Sequence, residues 1–240
     1  MNLRLLLATA SLALLSQGSL TARTWTSAAG SKTYEGELRA VDENRITVSV
    51  LMKGGKLVTF ATSLLSEKDT AFLKGEEAQM ILARLADEGA AEALQNQKIG
   101  KRLTKAGILS KIEGEVFANH QLTRAPEYYI VYFSASWRPP CRTSAPQLVK
   151  QYQAEIANNP AVEMIHVSLD RDKNAAQKWA AKEGFPWPTV MMDKIKESGF
   201  EDYMPRAVPN YKLLSKDGKI VAEGKAKVFA KAAELTKEET

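Results

Sequence analysis

The hydrophobic rhythm of this 240-residue chain changes three times along its length. Residues 5–15 form one apolar run. Residues 24–73 alternate apolar and polar positions over short stretches, "TWTSAAGSKTYEGELRAV", "RITVSVLM" and "KLVTFAT", the period-two pattern of half-buried strands. Between them "DENR" and "KGGK" mark turns, the Gly-Gly pair of the second suiting a tight hairpin. In "SLLSEKDTAFL", Ser66 is placed to cap a helical turn beginning at Glu67. This segment predicts a small, strongly bent sheet or barrel. Residues 75–98 bring Met80, Leu82, Leu85, Ala86 and Leu94 at roughly helical spacing with Gly89 as a break, which predicts a helical hairpin or kinked linker.

From residue 100 onward strand and helix patterns alternate. "GEVFA" and "YYIVYFSA" read as strands, "PQLVKQYQAEIANN" as a helix, "VEMIHVSLD" as a strand and "AAQKWAAKEG" as a helix. "NYKLLSKDGKIVAEG" is a hairpin turned at Asp217-Gly218, followed by a closing helix in "AKVFAKAAELTKEE". The continuously apolar "YYIVYF" suits a central strand covered on both faces. The order is a β-α-β half followed by a β-β-α half.

Composition narrows the function classes. The chain carries 33 Lys and Arg against 28 Asp and Glu, with the basic residues scattered in short groups. That distribution reads as solvated helix faces and loop rims, and no nucleic-acid motif accompanies it, so no nucleic-acid partner is expected. "MNLRLLLATASLALLSQG" has a short n-region with Arg4, an apolar core and small residues at Ser16 and Gly18. It is the pattern of a secretory signal peptide over residues 1–18, too short for a comfortable membrane span. A secreted or periplasmic protein without a stable membrane anchor after cleavage is the expectation; retention as an uncleaved anchor is the less favoured alternative. The single cysteine, Cys141, excludes an intramolecular disulfide. Neither CxxC nor HxxxH spacing is present, so no metal and no cofactor is expected. His166 sits inside a predicted core strand and reads as a hydrogen-bonded core residue rather than a catalytic base.

Two stretches resemble known families. "YFSASWRPPCRTSAPQL", "VEMIHVSLDRDKNAAQKWAAKEGFPWP" and "AVPNYKLLSKDGKIV" resemble the tryparedoxin and nucleoredoxin branch of the thioredoxin superfamily. Arg23-Thr-Trp25, Gly30, Gly36-Glu37-Leu38, "RITVSVLMKGGKLVTFATSLL" and "LSEKDTAFL" resemble the Sla-type homology module, an SH3-like small barrel. Together these imply an α/β thioredoxin-like fold, a central mixed sheet flanked by helices, over residues 100–236. An SH3-like β domain over 23–73 and a helical linker over 74–99 would precede it.

The thioredoxin resemblance assigns roles by position. A nucleophilic cysteine belongs at position 138, spacers at Pro139 and Pro140, and the resolving thiol at Cys141. Trp137 would shield the loop from below. The cis-proline maps onto Pro209 with Val208 before it, where an extended substrate segment would lie along a groove. Arg138 breaks the pattern: a guanidinium is always charged and only donates hydrogen bonds, so it replaces no thiolate. Dithiol exchange needs a first attack and a second, resolving thiol, and this loop has one thiol. Three readings of Arg138 stay open: drift in a lost site; anion or carboxylate binding with Arg142 and the helix N-terminus; or a single-thiol role with Arg138 lowering the pKa of Cys141. The leading expectation is a non-catalytic protein that binds an extended peptide or protein partner through Trp137, Arg138, Pro139, Pro140, Arg142, Val208 and Pro209. The competing one is a thiol-disulfide oxidoreductase-related enzyme using Cys141 through mixed disulfides. The SH3-like module would have a ligand of its own, whose identity the sequence does not name.

Overall fold

A computed structural model describes residues 22–42 and 44–235. The signal sequence expected at residues 1–18 lies outside the described residues. Backbone contacts divide the chain into two compact units, the division falling between Ala86 and Asp87.

The first unit is an antiparallel sheet of β1 (Arg23–Thr26), β2 (Thr33–Val41), β3 (Thr47–Met52) and β4 (Leu57–Ala61), hydrogen-bonded in chain order. The sheet is open, and β2 carries a register shift between Leu38 and Ala40. After β4 the chain returns to the end of β1 through a Ser27–Leu65 bridge, with the Ser66 amide on the Thr26 carbonyl at 2.9 Å. Gly54 and Gly55 both have positive φ, which lets the β3–β4 hairpin turn tightly. Ser66 caps α1 (Glu67–Lys74) by accepting from the Asp69 amide at 3.2 Å. Inside, Trp25, Leu38, Val48, Val50, Leu65 and Leu73 form the core. The Asp69 carboxylate ties it together, taking the Arg23 guanidinium at 2.6 Å and both the Thr26 amide and the Ser66 hydroxyl at 2.8 Å.

Helix α2 runs unbroken over Glu76–Gln95, so Gly89 does not break it as the sequence suggested. Gly89 is exposed, and its penalty of about 1 kcal/mol against Ala is local. Strong helix formers (Ala, Leu and Glu) on both sides carry the helix through it.

The second unit contains α3 (Lys98–Leu103), β5 (Leu109–Glu113), β6 (Val116–His120), β7 (Tyr128–Ser134), α4 (Pro139–Glu155), β8 (Val162–Ser168), α5 (Lys173–Glu183), β9 (Thr189–Val190), α6 (Ile195–Ser198), β10 (Asn210–Ser215), β11 (Ile220–Glu223) and α7 (Lys225–Leu235). Its seven-stranded mixed sheet has the order β11-β10-β7-β8-β9-β5-β6. β7 pairs in parallel with β8 and antiparallel with β10. Central β7 and β8 are almost wholly buried, as apolar strands covered on both faces must be.

Register decides where loops meet. Ser134 pairs with Ser168, so the chain leaves β7 and β8 side by side, and the segments 135–138 and 169–172 become neighbours. Phe133 pairs with Asn210, which brings the segment preceding β10 to the same end of the sheet.

Candidate functional site

At that end of the sheet stands the Trp137-Arg138-Pro139-Pro140-Cys141 loop. Pro139 and Pro140 occupy the first positions of α4, where a missing N–H costs nothing and a fixed φ favours the helix. Arg138 is the residue at the N-cap, with extended backbone (φ −91°, ψ 117°) and no side-chain cap bond. Its Nε–H donates instead to the carbonyl of Val208, the residue joined by a cis peptide bond to Pro209. Arg142 Nη1 donates to the Ser136 carbonyl at 2.8 Å. Both guanidiniums near the start of α4 are therefore engaged with the protein's own backbone.

Cys141 lies one turn into α4 and is fully buried, at 0% exposure. Burial pushes its thiol pKa up, outweighing the opposing pull of a backbone hydrogen bond at Ala135 and of the Arg138 and Arg142 charges. A protonated, enclosed thiol is a poor nucleophile. Tyr132 and Tyr211 stack beside it, their centroids 4.8 Å apart. Burial raises the pKa of both phenols, and the thiol is within electrostatic reach of each. His166, in β8, is buried with Nε2 2.8 Å from the Ser134 hydroxyl and Nδ1 3.2 Å from the Thr189 hydroxyl. Burial pushes its pKa down to about 3, so the ring is neutral near pH 7.

Trp137 does not shield the loop from below. It is 59% exposed and leans toward the 169–172 turn, with Nε1 3.5 Å from the Leu169 carbonyl. With Leu169, Ala175, Met192 and Met204 it lines a groove of about 600 Å³.

The residue that shapes this groove is Asp170. Asp170 is 2% exposed. Its two oxygens accept the Ser136 amide at 3.0 and 3.1 Å, the Ser136 hydroxyl at 2.6 Å and the Ser168 hydroxyl at 2.9 Å. A buried carboxylate needs such partners, and here they clamp the residue preceding Trp137 onto the end of β8. An acid directly after an apolar strand was the available signal. Met192 and Met204 carried no signal, because only the fold brings their loops to Trp137.

Residues 126–220 match the model of the family described as thioredoxin-like. The segment is a thioredoxin-like domain. Among curated proteins, the chain is 32% identical over 95 residues to a probable nucleoredoxin 1 of Arabidopsis thaliana, covering 39% of this chain and 16% of that one. It is 30% identical over 127 residues to the nucleoredoxin of Bos taurus, covering 52% of this chain and 28% of that one. The chain thus spans a small part of these relatives' own length. Among solved structures, a mutant of tryparedoxin-I aligns with a TM-score of 0.42 at 22% identity, covering 59% of this chain and 95% of that one.

The thioredoxin-like domain has one cysteine. Around its loop the fold brings together Trp137, Arg138, Arg142 and Val208-Pro209, while Cys141 faces the interior. Among the described residues, no group of three or more His, Cys, Asp or Glu side chains is placed to hold a metal ion. No helix of the described residues is long and apolar enough to cross a membrane.

Proposed function

We propose that this protein is an exported, non-catalytic binding protein whose thioredoxin-like domain docks an extended segment of a partner polypeptide at the rim formed by Trp137, Pro139, Pro140 and the Val208-Pro209 edge. The observation that carries this reading is the pairing of a buried Cys141 with Arg138 at the loop's first position. The site keeps a groove and an exposed aromatic but presents no accessible thiol. Trp137 supplies a large, rigid contact surface of the kind that anchors interfaces. The leader-like residues 1–18 support export.

The first unit fits an SH3-like module of the Sla type over residues 23–73, followed by a helical segment over 74–99 and the thioredoxin-like domain over 100–236. The Ser27–Leu65 bridge, which returns the chain from β4 to β1, supports a barrel-like reading of that open sheet. The module has an apolar pocket of about 270 Å³ between Tyr34, Met52, Val58, Phe60 and Leu64, where a ligand of its own would fit.

The test uses a permanently unfolded probe, reduced and carboxymethylated lactalbumin, which has no cysteine left to exchange. Binding should shift the emission of Trp137, and Trp137→Ala should weaken binding measured by anisotropy of the labelled probe. Reduction of insulin by the wild-type chain, or a mixed disulfide trapped at Cys141 under native conditions, would contradict the non-catalytic reading.

A further inference from the structure

Sulfur reacts with oxidants only where they can reach it. In the second unit sulfur occurs at Cys141, Met164, Met191, Met192 and Met204. Cys141 and Met164 are fully buried and Met191 is 7% exposed, whereas Met192 and Met204 are 39% and 45% exposed. These two thioethers lie in separate loops, yet both line the groove beside Trp137. The readily accessible sulfur of this unit is therefore gathered at one place, next to an exposed tryptophan.

Local structure holds both side chains outward. Met192 opens a single 3-10 turn, Met192–Lys194, directly after the buried Met191. Asp193 in that turn is fastened to Lys173 of α5 at 2.7 Å. Met204 follows the turn Phe200–Tyr203, whose two aromatic ends are buried, and its amide donates to the Glu201 carbonyl at 3.3 Å. In each case an inward-facing neighbour anchors the backbone and leaves the methionine on the groove.

We propose that Met192 and Met204 form a methionine-oxidation site, which hydrogen peroxide converts to sulfoxides and which thereby weakens docking at the groove. A thioether lone pair attacks one peroxide oxygen. The O–O bond breaks as an S–O bond forms, sulfur gives up two electrons, and the proton of the transferred oxygen passes to the departing hydroxide, which leaves as water. The product replaces a flexible apolar side chain by a polar one. A partner side chain that covers this surface must then strip water from the S–O group without replacing its hydrogen bonds. The modification site stands on exposure alone, and its effect on docking rests on the peptide-binding reading above.

The full-length protein is treated briefly with dilute hydrogen peroxide, the peroxide is destroyed with catalase, and each methionine is followed by peptide mapping in a mass spectrometer. Met80, 66% exposed and in the other unit, is the internal reference. Met192 and Met204 should gain one oxygen at rates within about tenfold of Met80, and at least about tenfold faster than Met164 and Met191. The oxidised protein should bind carboxymethylated lactalbumin about three- to tenfold more weakly. Binding should recover after treatment with the two methionine sulfoxide reductases, one for each sulfoxide epimer, and dithiothreitol. In a double variant, Met192→Leu with Met204→Leu, the treated and untreated forms should bind alike although Met80 is still oxidised. Met192→Gln with Met204→Gln, polar without any oxidant, should show the weaker binding from the start. Met192 and Met204 reacting as slowly as Met164 overturns the modification site. Full oxidation with unchanged binding, or the same loss of binding in the Leu variant, overturns the switch and leaves peptide binding standing. Absence of binding by the unoxidised protein overturns the peptide-binding reading and the switch with it, while the mapping still decides the modification site.

Discussion

Arg138 donates its Nε–H to the main-chain carbonyl of Val208, across seventy residues of sequence. The bond joins the start of α4 to the segment leading into β10. It also explains how a cation is tolerated at a helix N-terminus, where the macrodipole opposes it by roughly 0.3–1 kcal/mol: the charge is held by a carbonyl outside the helix. Arg138→Ala should therefore destabilise the domain by about 1–2 kcal/mol, the roughly 1.5–3 kcal/mol of a charge-assisted hydrogen bond less the relief of the opposing dipole. The same variant releases the Val208 carbonyl, so binding of the carboxymethylated polypeptide should strengthen by a few-fold. A weaker complex would make Arg138 a direct contact instead.

Burial of Cys141 predicts that the native protein reacts with Ellman's reagent at least about a hundredfold more slowly than the protein unfolded in guanidinium, at the same pH. A thiol that reacts fully in the native state would return the single-thiol enzyme to consideration. Arg138→Cys places a second thiol one helical turn before Cys141. With oxidised glutathione as the electron acceptor, that variant should form an internal disulfide, seen as loss of both thiols and a mass decrease of two hydrogen atoms.

His166 links stability to pH. Its folded-state pKa is pushed below the usual 6.5 to about 3 by burial, so the unfolded chain takes up the proton first as pH falls. The neutral ring's contribution is complete above about pH 6.5 and is lost at up to about 1.4 kcal/mol per pH unit below it. Between pH 6.5 and 5.5 most carboxylates stay ionised, and urea unfolding should show a loss of about 1 kcal/mol. His120, whose pKa burial also lowers, adds to the same window. His166→Asn should flatten the slope more than His120→Asn; equal slopes in all three proteins would place the titrating group elsewhere.

Asp170→Ala leaves the Ser136 amide and two hydroxyls without their acceptor in a buried setting. It should cost about 2–4 kcal/mol and release the Trp137 segment, read as altered emission and faster amide exchange at Ser136 and Trp137. Asp170→Asn keeps one acceptor oxygen and should recover part of the loss. Unchanged exchange in Asp170→Ala would show that the clamp does not hold the loop.

Gly36 is the corresponding constraint in the first unit. Its carbonyl accepts Trp25 Nε1 at 3.0 Å, and a Cβ built on it would sit 2.8 Å from the Leu51 carbonyl oxygen. Gly36→Ala should destabilise that unit by about 1–3 kcal/mol through backbone displacement, with burial of Trp25 lost at a lower denaturant concentration. A neutral Gly36→Ala would mean that β2 and β3 can separate there without penalty.

Period and punctuation along the chain determined most of the strands and helices, because alternation, continuous apolar runs and caps such as Ser66 are local signals. They also determined that the thioredoxin-like loop has one thiol, since Arg138 and Cys141 are chemical facts at fixed positions. Strand β5 and the two-residue β9 were not legible. Their pairing between β8 and β6 is set by the sheet and hardly at all by their own composition. The site followed the same division. The sequence names Trp137, Arg138 and Val208, but whether Arg138 meets a ligand or a backbone carbonyl depends on where the segment before β10 lies, which the Phe133–Asn210 register decides. Only that tertiary arrangement buries Cys141, turns Asp170 into a clamp and gathers Met192 and Met204 beside Trp137. Burial and charge pairing arise between residues far apart in the chain, and no local pattern carries them.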